Sequence, residues 1–218
     1  MKLSYIFRSV ILLLLSSLNP LWSQEEQKQK RHLITLSPLA LADVFDGASI
    51  RPGFEMQLNN RFSTGLETGF YVPYLNATKI KPKGFVIKPM LRYWLQPEKE
   101  NNYLAVEYMF KQQDYQYKDS LEISENRYEK KYSMKRHIHA LSIRYGRMKQ
   151  LGKNFVLDCY AGIGIRHIRS TSDLTPIESD AILSGIDGDC PLQQDILRIT
   201  GRHLYPNFLL GVRIGYRL

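Results

Sequence analysis

The sequence predicts an all-β protein: an eight-stranded antiparallel up-and-down transmembrane β-barrel. Three observations carry that expectation. Apolar side chains alternate with polar residues or glycine along seven segments, the period of a strand with two unlike faces. The connections between those segments alternate short and long, as when one rim carries tight turns and the other extended loops. The stretch FLLGVRIGYRL (Phe208–Leu218) is still alternating at Leu218, so this strand is expected to be paired on both sides.

The amino end reads as an export signal. Lys2 and Arg8 precede an apolar core, VILLLL (Val10–Leu15), too short to span a bilayer, and Ser23 is a small residue at a plausible cut. Residues 1–23 are therefore assigned as a cleaved signal peptide, 24–31 as a short charged leader and 32–218 as the barrel domain. Losing Lys2 and Arg8 would take the formal charge from +9 to +7. For an exported basic chain, lipid phosphate is a more available acidic partner than nucleic acid, and no nucleic-acid partner is expected. Export also permits a disulfide, but Cys159 falls in a strand pattern and Cys190 in a loop, so a bridge stays open.

HLITLSPLALA (His32–Ala42) is the weakest strand candidate, its alternation poor and Pro38 against it. SIRPGFEMQL sets Ile50, Phe54, Met56 and Leu58 against Arg51, Gly53, Glu55 and Gln57. FSTGLETGFYV sets Phe62, Leu66, Phe70 and Val72 against Ser63, Gly65, Glu67 and Gly69. FVIKPMLRYWLQ sets Phe85, Ile87, Leu91, Tyr93 and Leu95 against Lys88, Arg92 and Gln96, with Pro89 a blemish in the ladder. NYLAVEYMFK and HALSIRYGR follow, with Glu107 and Arg144 on their polar faces. NFVLDCYAGIGIR adds Asp158, Tyr160 and Arg166, and the last strand Arg213 and Arg217. Asn59–Arg61, Gln96–Asn102 and Gln150–Asn154 are the short connections. Asp43–Ser49, Leu75–Gly84, Asp114–Arg136 and Ser170–Gly201 are the long ones, and Asp114–Arg136, which mixes Tyr with both charges, could instead continue its two strands as a hairpin beyond the membrane.

This pattern fits two opposite solids. A soluble barrel of lipocalin type turns its apolar face inward to hold a hydrophobic ligand, while a membrane barrel turns it to lipid. The polar face favours the second. It carries Glu55, Glu67, Arg92, Glu107, Arg144, Asp158, Arg166, Arg213 and Arg217, opposite charges that could pair across a narrow lumen, with glycines leaving room for long arginines. Tyr71, Tyr74, Tyr93, Trp94, Tyr205 and Tyr216 lie toward strand ends, as an interfacial girdle would.

VRIGYRL resembles the carboxy-terminal assembly signal of Gram-negative outer-membrane β-barrel proteins, with Val212, Ile214, Tyr216 and Leu218 at the alternate positions. That family usually ends in Phe, and this chain ends in Leu. Together with the signal peptide and the rim asymmetry, the chain is similar to the small OmpA/OmpX-type barrels. The resemblance implies an outer-membrane location in the cell envelope, contact with outer-membrane lipids, and recognition by the barrel assembly machinery through the last strand.

No catalytic residue, metal site or cofactor is assigned. His137 and His139 sit in a basic run, MKRHIH, that would repel a cation. His139 with Ser142 and His167 with Ser170 are three apart, which puts each pair on opposite strand faces, so a lipid-modifying enzyme is the weaker alternative. The acidic loop around Asp187 and Asp189 lacks calcium-loop spacing. The expected function is non-enzymatic: a structural barrel with a polar-filled lumen, or a surface binder meeting an extracellular partner through loops 114–136 and 170–201.

Overall fold

The computed structural model describes residues 32–42, 47–72, 80–96, 101–123, 126–181 and 200–218. The signal and leader assignments, the acidic loop with Cys190, and Tyr74 lie outside the described residues.

Nine strands form one antiparallel sheet: β1 (His32–Leu36), β2 (Ser49–Ile50), β3 (Pro52–Gln57), β4 (Phe62–Tyr71), β5 (Ile80–Trp94), β6 (Asn102–Ile123), β7 (Asn126–Leu151), β8 (Phe155–Ser172) and β9 (Gly201–Arg217). Sequential strands pair from β3 to β9, and β1 pairs with both β3 and β9, so the hydrogen bonding runs round in a ring. β2 and β3 both pair with β4 and are one strand broken before Pro52; counted so, the ring has eight strands.

The first strand is short for a reason in its sequence. His32–Leu36 alternates, but Pro38 cannot donate to a ladder, and Pro38–Ala42 turns into a 3-10 helix. Those five residues nevertheless close the ring: Leu33–Leu36 face Ile214–Arg217, and the Leu218 amide donates to the His32 carbonyl at 3.0 Å. Pro89, by contrast, is inside a strand. It faces outward opposite Leu66 of β4, while on the β6 side the pairing steps from Ile87↔Phe110 to Met90↔Glu107 and omits Lys88 and Pro89. The register is unchanged across the gap, so one interrupted stretch of ladder is the whole effect.

The connections differ between the rims. Asn59 Oδ1 accepts from the Arg61 and Phe62 amides in one tight turn, and Gly152 at φ 78° makes the β7–β8 turn. Both lie at the same end as His32 and Leu218. At the other end, Asp114–Arg136 takes the hairpin alternative and continues the sheet. β6 and β7 pair without a break to Ile123↔Asn126. β5 likewise begins at Ile80, inside the expected loop Leu75–Gly84. The expected loop Ser170–Gly201 is also shorter than read: β8 runs to Ser172, β9 starts at Gly201, and a helix, α1 (Pro176–Asp180), follows β8. Thr175 caps α1 with a reciprocal Thr175–Glu178 capping box.

Candidate functional site: the charged interior

Parity decides what each strand turns inward. Along β8, Val156, Asp158, Tyr160, Ile168 and Ser170 are buried, while Phe155, Ile163 and Ile165 are exposed. The same holds around the ring: Leu66, Phe70, Leu91, Val106, Leu141, Ile143, Phe208 and Leu210 all point out, Leu210 with 84% of its surface exposed. Inside, Arg92, Arg144 and Arg213 are among the largest fully buried side chains.

The interior is layered. Nearest the tight turns, Leu33, Trp94, Tyr103, Ala105, Met148 and Val156 form an apolar cluster. Beyond the middle, Tyr71, Val86, Met109, Ile138, Ala140 and Ile168 form another, with Tyr205 packed against it. Higher still, Tyr115, Tyr117, Tyr132 and Met134 fill the base of the β6–β7 hairpin.

Between the first two layers lies a belt of buried charge to which every strand from β3 to β9 contributes. Arg92 Nη2 donates to Glu55 Oε1 at 3.0 Å and to Asp158 Oδ2 at 3.1 Å. Arg213 donates through Nε to Asp158 Oδ2 at 3.1 Å, contacts it again through Nη2, and meets Glu55 at 3.0 Å. Tyr103 completes the Asp158 site by donating to Oδ1 at 2.8 Å. A second group joins Arg144 to Glu107 at 2.7 Å and Lys88 to Glu107 at 3.0 Å and Glu67 at 3.5 Å. Ser37, just past β1, donates to Glu67 at 2.8 Å. Four carboxylates (Glu55, Glu67, Glu107, Asp158) thus meet four cations (Lys88, Arg92, Arg144, Arg213), and the belt is neutral in sum. The Arg92–Asp158 bond joins β5 to β8, strands three places apart in the ring, so it crosses the interior.

Two tyrosines divide the guanidinium groups. Arg92 lies 3.9 Å from the Tyr103 ring centroid and 4.9 Å from that of Trp94, and Arg144 lies 4.4 Å from that of Tyr160. Inward glycines make room for these rings as well as for arginines: a Cβ at Gly162 would meet Arg144 Cβ at 2.7 Å and one at Gly69 would meet Arg51 Cγ at 2.8 Å. A Cβ at Gly146 would stand 2.2 Å from Tyr103 Cζ, and one at Gly211 would stand 2.2 Å from Tyr160 Cζ.

Seven of the residues expected on the polar face are therefore gathered and buried: Glu55, Glu67, Arg92, Glu107, Arg144, Asp158 and Arg213. Arg166 and Arg217 are only half-buried. Arg166 donates to Asn207 Oδ1 at 3.1 Å, and Asn207 donates to Ser142 at 2.8 Å, a polar tier beside the belt. Arg217 lines a solvent-open cavity at the tight-turn rim, with His32, Trp94 and Met148 and with Arg92 and Glu55 on its wall. Lys88 was missing from the expected network; its signal was its parity with Arg92. The aromatic girdle needs correction: Trp94 and Tyr71 are buried inside and Tyr205 packs on the upper cluster. Trp94 shares the inward parity of Arg92, and its ring packs edge-on against Tyr103 at 5.6 Å and beneath the Arg92 guanidinium. Outside, Phe62–Tyr93 and Phe155–Tyr216 are the aromatic pairs near the tight turns.

The terminal alternation runs outward. Ile214, Tyr216 and Leu218 are exposed and Val212 is partly so. His139 and His167 also point outward, ring centroids 6.5 Å apart, with Tyr108 Oη 2.6 Å from His139 Nδ1. Ser142 and Ser170 are buried inside, so each His and its Ser lie on opposite faces of the sheet. Among the described residues no three His, Cys, Asp or Glu side chains gather as a metal site. Cys159 is a free, exposed thiol.

The family model described as "Protein of unknown function (DUF3575)" matches residues 40–177, well over half of the chain. The chain belongs to the DUF3575 family. The matched segment of this DUF3575 protein holds seven of the eight belt residues and omits Arg213, β1 and β9. No curated protein matches. Among solved structures, the chain is similar to CarO2 of Acinetobacter baumannii, with 15% identity over 87% of this chain and 97% of that one, at a TM-score of 0.35. It is similar to CarO of the same organism with 12% identity over 89% and 99%, at a TM-score of 0.36.

Proposed function

We propose that this DUF3575 protein is a transmembrane β-barrel of the outer membrane, non-enzymatic, with a filled polar lumen and a structural or surface-binding role. The observation that carries this reading is the inversion of ordinary burial: paired charges lie inside the ring and an apolar band lies outside. In a water-soluble protein that exterior would be an exposed apolar surface far beyond the few hundred Å² a monomer tolerates. Its height suits a membrane. The ten steps from Phe155 to Ile165 along β8, at about 3.3 Å each and a tilt of about 40°, rise about 25 Å, the usual band of such barrels. The lipocalin-like alternative would need the apolar face inside.

The lumen supports a structural role rather than a pore. An eight-stranded ring is just wide enough to be filled by side chains, and here bonds cross it between β5 and β8. Surface binding falls to the far rim: the β6–β7 hairpin replaces the expected loop 114–136, and the β8–β9 connection remains the second candidate for an extracellular partner. The outward alternation of Ile214, Tyr216 and Leu218 suits recognition by the assembly machinery.

The test is electrophoresis of the isolated outer-membrane fraction with and without boiling in detergent. A band in that fraction that shifts on heating is the expected result. Recovery as a soluble periplasmic protein with no shift would overturn the reading.

A further inference from the structure

The outward face of β6–β9 ends abruptly in a basic row. Reading across the register, Phe110, His139, His167 and Leu204 stand in one row, and Gln112, His137, Arg169 and Arg202 in the next one toward the long rim. The rows on the other side are apolar: Tyr108, Leu141, Ile165 and Pro206, then Val106, Ile143, Ile163 and Phe208. Arg169 and Arg202 are both exposed and directly paired across β8 and β9. Like charges placed so repel, and a sheet ordinarily avoids them. Asp114, across from Lys135 in the following row, is the nearest acid by register, and Asp173 lies past the end of β8, held by the Ser133 amide. Among the described residues no carboxylate pairs with Arg169 or Arg202.

We propose that Arg169 and Arg202, flanked by His137, bind the phosphomonoester headgroup of an anionic membrane lipid, whose acyl chain lies on Leu204, Ile165 and Phe208. Resting on the transmembrane reading, this explains why the repulsive pair sits at the boundary of the apolar band: a dianion bridging the two guanidinium groups turns repulsion into attraction, and the chain below it finds an apolar surface. Guanidinium groups suit phosphate through paired N–H donors.

The experiment uses the full chain, purified in neutral detergent and shown to be folded by its heat shift. Native mass spectrometry reads binding of phosphatidic acid, phosphatidylglycerol and phosphatidylcholine, with inorganic phosphate as competitor. One phosphatidic acid should be retained in preference to the others. Arg169→Gln with Arg202→Gln should weaken it about twenty-five-fold, at about fivefold per cation removed. The same double variant should melt higher than the parent in neutral detergent, since it loses a repulsion, and this also proves it folded. Arg147→Gln with Lys149→Gln, outward cations near the β7–β8 turn, should leave retention unchanged. Equal retention by both double variants, or displacement by inorganic phosphate at the lipid's own concentration, would overturn the lipid site while the heat shift stands. A chain with no heat shift would overturn the membrane reading and this inference together.

Discussion

Asp158 and Ile163 stand five residues apart on β8 and obey opposite rules. Asp158, 1% exposed, accepts from Arg92, Arg213 and Tyr103, three groups from three other strands. Ile163, 66% exposed, has one requirement, to be apolar. The interior is specified pair by pair and the exterior collectively. A belt residue therefore has few substitutes, and a band residue has many.

The sharpest way to break the interior is Asp158→Ala, which leaves Arg92 and Arg213 with only Glu55 between them. Stranding buried charge costs about 3–5 kcal/mol, and urea unfolding followed by loss of the heat-shifted band should register it. Outside, Ile163→Leu should be silent, whereas Ile163→Arg should cost about 2–4 kcal/mol in lipid; equal behaviour of the two would place that face in water. Gly146→Ala is smaller. Its Cβ must displace the Tyr103 ring, an overpacking of about 1–3 kcal/mol, and Tyr103→Leu should restore part of the loss by freeing the space.

The smallest effect lies beyond the ring. Glu178 is held down to about 2 from its ordinary 4.5 by the Lys130 ammonium and then by the Thr175 amide. A lowered carboxylate contributes above its unfolded value and loses that contribution as pH falls from about 4.5 toward 2. Because the pair lies beyond the ring and ties α1 to the β6–β7 hairpin, only α1 should respond. Amide exchange near Pro176–Asp180 should quicken in that window, and Glu178→Gln should remove the pH dependence without changing global unfolding.

Parity carried most of the ring, because Asp158 and Ile163 on opposite faces follow from their numbers, and the paired charges of one face then say which of the two is inward. It carried less where both faces are mixed. Beyond residue 112 of β6, charges fall on either parity, Asp114 and Lys118 against Asp119, so the sequence leaves 114–136 open between loop and hairpin, and only the register shows its two arms fully paired. Trp94 and Tyr103 were hidden by chemistry rather than position: alternation scores an aromatic as apolar, while inside this belt its ring face is a partner for Arg92. The basic row was hidden for another reason. His137, Arg169 and Arg202 belong to three strands, and only the register sets them side by side.

The ring's seams are unequal in a way that orders its assembly. Every pairing from β3 to β9 joins neighbours in sequence, and β6 with β7 needs only a turn at its tip. The β1–β9 seam instead rests on Leu33–Leu36 against Ile214–Arg217, and it closes a loop of about 180 residues. Chain entropy opposes so distant a contact until the intervening hairpins have brought the ends together. Closure is therefore the last event in folding. Until it happens, both edge strands stand as open templates for a neighbouring chain.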